Sequence, residues 1–235
     1  MNMTYMTKIK DKAEVVVIGG GAAGMMAAIS AARAGASVTL LEQMERCGRK
    51  LRITGKGRCN VTNDSTNEEL MQNVTTNPKF LYASFSRLSS RDVCDFFEGE
   101  GVPLKVERGK RVFPVSDKAV DIVDALVRAC RREGVKTVFD KAKGIDTENG
   151  RVTAVVGRSA VYECDSVVVS TGGVSYPQTG SDGSGKRRNE MAEYFDLPSD
   201  MTPNALLGAL NLLTDKNGFF SAAEALWETN GESNE

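Results

Sequence analysis

Residues 15–24 read VVVIGGGAAG, a β-branched run that breaks into glycines, with Gly19, Gly21 and Gly24 at GxGxxG spacing. A buried parallel strand that turns at once into a helix leaves this signature. The turn needs one glycine, a phosphate approaching bare backbone needs another, and close packing of helix on strand needs the third. The helix then offers free N–H groups and the positive end of its dipole to an anion. Residues 22–34 (AAGMMAAISAARA) continue as an Ala/Met-rich helix closed by Gly35, and 37–41 (SVTLL) read as a second buried strand ending at Glu42. Glu42 follows Gly24 at close to the ~20-residue distance at which a βαβ unit presents an acid to a ribose diol. An acid there favours an unphosphorylated ribose, so FAD or NAD fits better than NADP. The same glycines could merely tighten an ordinary βαβ turn. Their spacing and the acid together favour a dinucleotide site built from Gly19, Gly21, Ala22, Ala23, Gly24, Glu42 and Gln43.

Composition limits the chemistry such a site can host. The 235 residues contain no histidine, the commonest metal ligand and general base. The five cysteines (Cys47, Cys59, Cys94, Cys130, Cys164) are scattered without a CxxC pair, which suits neither a disulfide framework nor a zinc site. No metal site is expected, and redox chemistry would have to reside in a bound organic cofactor. A net charge of −1 gives no electrostatic reason to expect nucleic acid or an acidic membrane as partner. Lys8, Lys10 and Lys12 precede an apolar stretch in the manner of a secretion signal. However, Asp11 and Glu14 interrupt the basic region and the apolar stretch carries the glycine motif, so the expectation is a first core strand in a cytoplasmic protein. No apolar run reaches membrane-spanning length.

Further along, 45–63 (ERCGRKLRITGKGRCNVTN) holds Arg46, Arg49, Lys50, Arg52, Lys56 and Arg58 among Gly48, Gly55 and Gly57. Basic runs are usually solvated, but the glycines permit close backbone approach, and the segment directly follows the ribose-binding acid. A loop running along the cofactor is the favoured reading. Residues 77–100 carry a helical pattern whose Phe80, Phe85, Phe96 and Phe97 are expected in the core. Two short strands are expected around Arg108-Gly109. Next comes a helix capped by Ser116, with Asp117 in its first turn and Ala119, Ile122, Val123, Leu126, Val127 and Cys130 on one apolar stripe. A strand at 135–139, a hairpin turning at Asn149-Gly150 and a buried strand at 165–170 complete the pattern. Glycine-rich segments follow at Thr171-Gly172-Gly173 and 179–185. Strands alternating with helices, with glycines at strand ends, imply an α/β doubly wound parallel sheet with helices on both faces and a β-meander insert.

The stretches VVVIGGGAAGMMAA, GRKLRITGKGRCNVTN, GVPLKVERGKRVFPVSDKA and STGGVSYPQTGSDG together resemble the bacterial NAD(P)/FAD-dependent flavoproteins of the bile-acid-reductase and aminoacetone-oxidase-like group. The resemblance implies a Rossmann-like, glutathione-reductase-type FAD-binding domain over 1–185. Gly19, Gly21 and Gly24 would face the pyrophosphate and Glu42 the adenosine ribose. Arg49, Lys50, Gly57, Arg58, Cys59 and Asn60 would line the cofactor toward the flavin. Ala142 would offer a backbone amide to adenine, and Thr171, Gly172 and Gly173 would support the cofactor from a further strand. Beyond about residue 185 the likeness stops. Residues 186–235 are expected to form an atypical helical or disordered segment, with helix-like pieces at 205–213 and 219–227, as a truncated or rearranged reading frame would produce.

The function expected is a FAD-dependent oxidoreductase in which NAD(P)H reduces the flavin and a small organic molecule, such as an enone-like steroid, is the substrate. Arg58 and Asn60 would either sit near the flavin ring or serve phosphate contacts and loop hydrogen bonds. Cys59 reads as a loop thiol, and no catalytic residue is assigned. One competing reading is a non-catalytic or incomplete dinucleotide-binding fragment of such a flavoprotein; another is an RNA- or DNA-binding protein acting through Arg46–Arg58, against which the near-zero net charge speaks.

Overall fold

The computed structural model describes residues 7–8, 12–74, 78–173 and 177–180, which form two compact units. One draws on residues up to Arg49 and from Cys130 onward, the other on Lys50–Ala129. Residues 181–185 of the second glycine-rich loop and the whole of 186–235, with both expected helical pieces, lie outside the described residues.

The first unit is a seven-stranded sheet. Its parallel part runs β7 (Lys136–Val138), β3 (Val38–Leu41), β2 (Ala13–Ile18), β10 (Ala160–Val169), with β1 (Thr7–Lys8) also parallel to β10. Val16, Val17, Leu40 and Leu41 are at most 1% exposed, as expected for strands covered on both faces. Helix α1 (Ala22–Arg33) packs over β2 and β3 and buries Met25, Ala28, Ile29 and Ala31. Each large side chain among these contributes about 1.5–3 kcal/mol. Gly35, at φ 94°, ends this helix as expected.

The meander comprises β8 (Ala142–Glu148), β9 (Arg151–Gly157) and the first part of β10. Asn149 and Gly150 both take left-handed φ (50° and 74°), the pairing a two-residue type I′ turn requires. One strand is longer than expected. β10 begins at Ala160 rather than 165, pairs antiparallel with β9 through Val161–Glu163, and then pairs parallel with β2 from Cys164 onward. Ala160, Tyr162 and Cys164 alternate inward up to the junction, and Val167 is the next buried residue beyond it.

The second unit holds β4 (Thr62–Asn63), β6 (Arg111–Pro114) and β5 (Leu104–Glu107) as an antiparallel sheet, so the strand pair around Arg108-Gly109 is present. The basic stretch is less loop-like than expected, because α2 (Arg49–Ile53) and a 3₁₀ turn (Thr54–Gly57) occupy much of it. Three helices accompany the sheet: α3 (Asn67–Gln72), α4 (Tyr82–Arg87) and α5 (Ser90–Gly99). The helical pattern of 77–100 is therefore interrupted. Leu88 leaves helical space at φ −143°, ψ 86°, and Ser89 restarts the chain with a capping box to Asp92. Of the aromatics expected in the core there, Phe97 is buried with Phe96 edge-on at 5.1 Å. Phe96 and Phe85 are only half-buried, and the Phe80 side chain lies outside the description.

Helix α6 (Ala119–Arg132) buries the expected stripe except Val127, which is half-exposed. Its start differs from expectation. Asp117 takes φ 56° before the helix and pairs with Arg58 and Lys105, while Asp121 is the acid of the first turn. Among the described residues no helix is long and apolar enough to cross a membrane.

Candidate functional site

The carboxyl ends of the parallel strands are level. Ile18 lies opposite Leu41 and Val169, and Leu41 lies opposite Val138. The ladder continues one step further, with N–H groups of Gly19, Glu42 and Ser170 donating to Leu41 (2.8 Å), Val138 (3.0 Å) and Ile18 (2.8 Å) carbonyls. From β2 the chain crosses to β3 on one side, while β10 flanks β2 on the other. This is the switch point at which open α/β sheets bind ligands.

The glycine turn sits at that point, and its glycines have different reasons to be there. A Cβ on Gly19, at φ 107°, would lie 2.5 Å from the Ser170 carbonyl oxygen. On Gly24 it would lie 1.8 Å from the Gly19 oxygen, and on Gly20 2.6 Å from the Cys47 sulfur. These three are required by the protein's own packing. Gly21 is not. It has ordinary extended geometry (φ −80°, ψ −171°) and a Cβ there would meet nothing within 4 Å. As the N-cap of α1 it supplies no side-chain hydrogen bond, the first turn holds no acid, and Ala22 and Ala23 beside it are exposed. A helix start left uncapped, with small residues around it and free space in front, fits a diphosphate.

Glu42 closes one side of the turn. Its carboxylate is buried and accepts from the Gly20 N–H at 2.7 Å and the Met44 N–H at 2.8 Å. Burial raises its pKa above the ordinary carboxylate value, and the N–H groups of Met44 and Gly20 oppose that rise. Gln43, next along, donates to the Gly180 carbonyl. Two supporting residues, Ser170 and Cys47, escaped the sequence reading, and a third, Gly48, was expected only as part of the basic stretch. The Ser170 hydroxyl, on the last residue before Thr171, donates to the Ile18 and Gly19 carbonyls (2.9 and 3.1 Å). Cys47 and Gly48 back the turn, the latter through its N–H to the Gly20 carbonyl at 2.8 Å. A serine ending an apolar strand is a weak sequence signal for this clamp, and Cys47 carries none.

Five further residues expected in the site belong to this unit. Thr171, Gly172 (φ 78°) and Gly173 follow β10. Ala142 is buried as the first residue of β8. Arg49, at the start of α2, pairs with Glu45 at 2.9 Å. Between β7 and β8 lies a further residue the sequence did not flag. The Asp140 carboxylate accepts from the N–H groups of Lys141 (2.8 Å), Arg158 (3.2 Å) and Ser159 (3.0 Å), and from the Ser159 and Tyr162 hydroxyls. Burial pushes its pKa up, but these donors outweigh that and hold it below the ordinary value. Tyr162 is displaced upward, by burial and by this same carboxylate.

Lys50, Gly57, Arg58, Cys59 and Asn60 belong to the second unit. There Arg58 is engaged structurally. It donates to Asp117 at 2.8 Å and to Glu107, and its guanidinium lies 4.2 Å from the Phe113 ring centre. Asn60, with its amide turned to satisfy both partners, donates to the carbonyls of Thr62 (3.0 Å) and Val112 (3.1 Å). Gly57 at φ 84° and Cys59 at φ 60° turn the chain, and Cys59 is 2% exposed with its thiol pKa raised by burial.

Burial also pushes the thiols of Cys47 and Cys164 up to about 12 and that of Cys130 to about 11, so none is a thiolate at neutral pH. No cluster of three or more His, Cys, Asp or Glu residues suited to a metal occurs among the described residues. The arrangement can bind a diphosphate and a diol, and its own side chains offer no electron carrier.

Comparison with known proteins agrees with this geometry. Residues 13–197 match the model of the HI0933-like protein Rossmann domain. The 3-dehydro-bile acid delta(4,6)-reductase of Clostridium scindens is 33% identical over 175 residues, covering 72% of this chain and 41% of that protein. The ribosomal RNA dihydrouridine synthase of Escherichia coli is 31% identical over 192 residues, covering 80% of this chain and 45% of that protein. The chain thus spans less than half the length of these relatives. Among solved structures, a 3-ketosteroid-delta4-(5alpha)-dehydrogenase from Rhodococcus jostii RHA1 superposes with a TM-score of 0.58 at 20% identity, over 74% of this chain and 48% of that one. That likeness is one of fold.

Proposed function

Given that the chain belongs to the HI0933-like Rossmann-domain family of FAD-binding flavoproteins, we propose that it holds FAD at the β2–α1 turn for an oxidoreductase that draws hydride from NAD(P)H. The observation that carries this reading is Gly21. The protein's own packing and backbone leave room for a side chain there, and a diphosphate leaves none.

In this assignment the N–H groups at the start of α1, across Gly21, Ala22, Ala23 and Gly24, hold the diphosphate. Glu42 turns its carboxylate toward the ribose diol while keeping its bond to Gly20. Thr171–173 flank the cofactor from β10, and Ala142 presents main chain to the base. Bound FAD supplies the two-electron chemistry that no side chain here provides. Ser170 and Cys47 keep the turn rigid, so little ordering is needed when the anion arrives.

The substrate class we assign is a carbon–carbon double bond conjugated to a carbonyl in a small organic molecule. The two curated relatives support it by name. One is a reductase of a Δ4,6 bile-acid system, and the other forms dihydrouridine, which is uridine carrying two added hydrogens. A cytoplasmic setting follows from the use of NAD(P)H. Anaerobic addition of NADH or NADPH to the purified yellow protein, followed by a Δ4-3-keto steroid or by uridine-containing RNA, tests the assignment. Bleaching of the flavin absorbance, reversed by the steroid, is expected. Bound flavin that neither nucleotide bleaches would leave cofactor binding without catalysis, and reversal by RNA alone would overturn the small-molecule class.

A further inference from the structure

We propose that Phe139 is the stacking platform for the nucleobase of the bound dinucleotide. This deepens the cofactor assignment above and rests on it. Phe139 follows β7, is 57% exposed, and belongs to neither the glycine motif nor the expected cofactor contacts. So exposed an aromatic, one residue from a fully engaged Asp140, is open to a ligand, given a reason for one to lie there.

Strand order supplies a reason. At the carboxyl edge the ends of β2, β3 and β7 follow one another at the usual inter-strand spacing of about 4.8 Å. The β2 end carries the diphosphate turn and the β3 end carries Glu42, assigned to the ribose. In a dinucleotide the group after diphosphate and ribose is the base, so the base falls at the β7 end. Register makes this specific. The Glu42 N–H donates to the Val138 carbonyl, which in a parallel ladder sets Glu42 level with Phe139. Residues level across a ladder project to the same face. A sugar on Glu42 therefore delivers its base to the face that Phe139 occupies. Aromatic stacking suits a base because every base has a π face.

Asp140 fixes the platform. Its bonds to Ser159, Arg158 and Tyr162 tie the end of β7 to the meander, so Phe139 stands on a braced segment.

Titration of the full chain with ADP isolates this end of the cofactor, because ADP carries base, ribose and diphosphate but no flavin. Phe139→Ala should weaken ADP and FAD binding by about tenfold, in line with the loss of one base stack. Phe139→Tyr should restore both. The melting temperature of either unliganded variant should match wild type, because the residue is exposed. Equal ADP affinity in wild type and Phe139→Ala would overturn the platform and leave the FAD site standing, as would a loss of affinity in Phe139→Tyr equal to that in Phe139→Ala. Failure of wild type itself to bind ADP and FAD would overturn the cofactor assignment, and the platform with it.

Discussion

Four neighbouring glycines at one turn illustrate how a single residue type serves two kinds of constraint. Gly19, Gly20 and Gly24 are held by atoms of the protein, at 2.5, 2.6 and 1.8 Å from where a Cβ would stand. Gly21 is held by nothing in the protein. Gly24→Ala should therefore destabilise the fold itself. The methyl would be driven into the Gly19 carbonyl on a helix already packed against β2 and β3, at a cost of at least about 3 kcal/mol. Chemical denaturation of the unliganded protein measures it, and an unchanged midpoint would mean that the turn relaxes freely. The spacing of these glycines was readable in the sequence. The division of labour among them was not, because it depends on Ser170 and Cys47, which other parts of the chain bring to the turn.

At the scale of elements, the strand ends matter more than the strands. β7 is a three-residue strand secured in place by Asp140 just beyond its end, whose carboxylate collects three N–H groups and two hydroxyls. Asp140→Asn turns one acceptor oxygen into a donor. In either amide orientation at least one backbone N–H then faces a donor, so a loss of about 2 kcal/mol is expected. The pH dependence has a definite sign. The Asp140 pKa is lowered from 3.8 on folding, so its stabilisation is complete above that value and is lost as pH falls through the lower folded value. The gap between wild type and Asp140→Asn should accordingly be constant near neutrality and narrow below about pH 4. Denaturant midpoints across pH 2–7 check this, and a gap that widens in acid would contradict it. The local elements were largely legible: α1 with Gly35 behind it, the Asn149-Gly150 hairpin and the α6 stripe all follow short-range rules. The continuous β10 and the break at Leu88 were not. The first depends on two different neighbouring strands, and the second on a capping box set within a longer apolar periodicity.

At the scale of the whole molecule, the parallel sheet was legible because a βαβ unit with buried strands permits few arrangements, whereas its strand order was read only from the structure. The separate unit of Lys50–Ala129 was not legible, since its first border falls inside the basic, glycine-bearing stretch that reads as one loop along the cofactor. Arg58 shows the consequence. Its sequence context suggests a cation beside a cofactor, whereas Glu107, Asp117 and Phe113, which lie far from it in sequence, engage it in the folded unit. The claim that joins the scales is that the β2–α1 turn exists to bind a diphosphate, and it is tested most directly by flavin content. Wild type and Gly21→Val should be purified in parallel and their FAD per chain read from absorbance. The account predicts bound FAD in wild type, essentially none in the variant, and a variant that stays folded with at most a small drop in melting temperature once FAD is removed, because a Cβ at this N-cap meets nothing within 4 Å. Equal flavin content in the two proteins would contradict it.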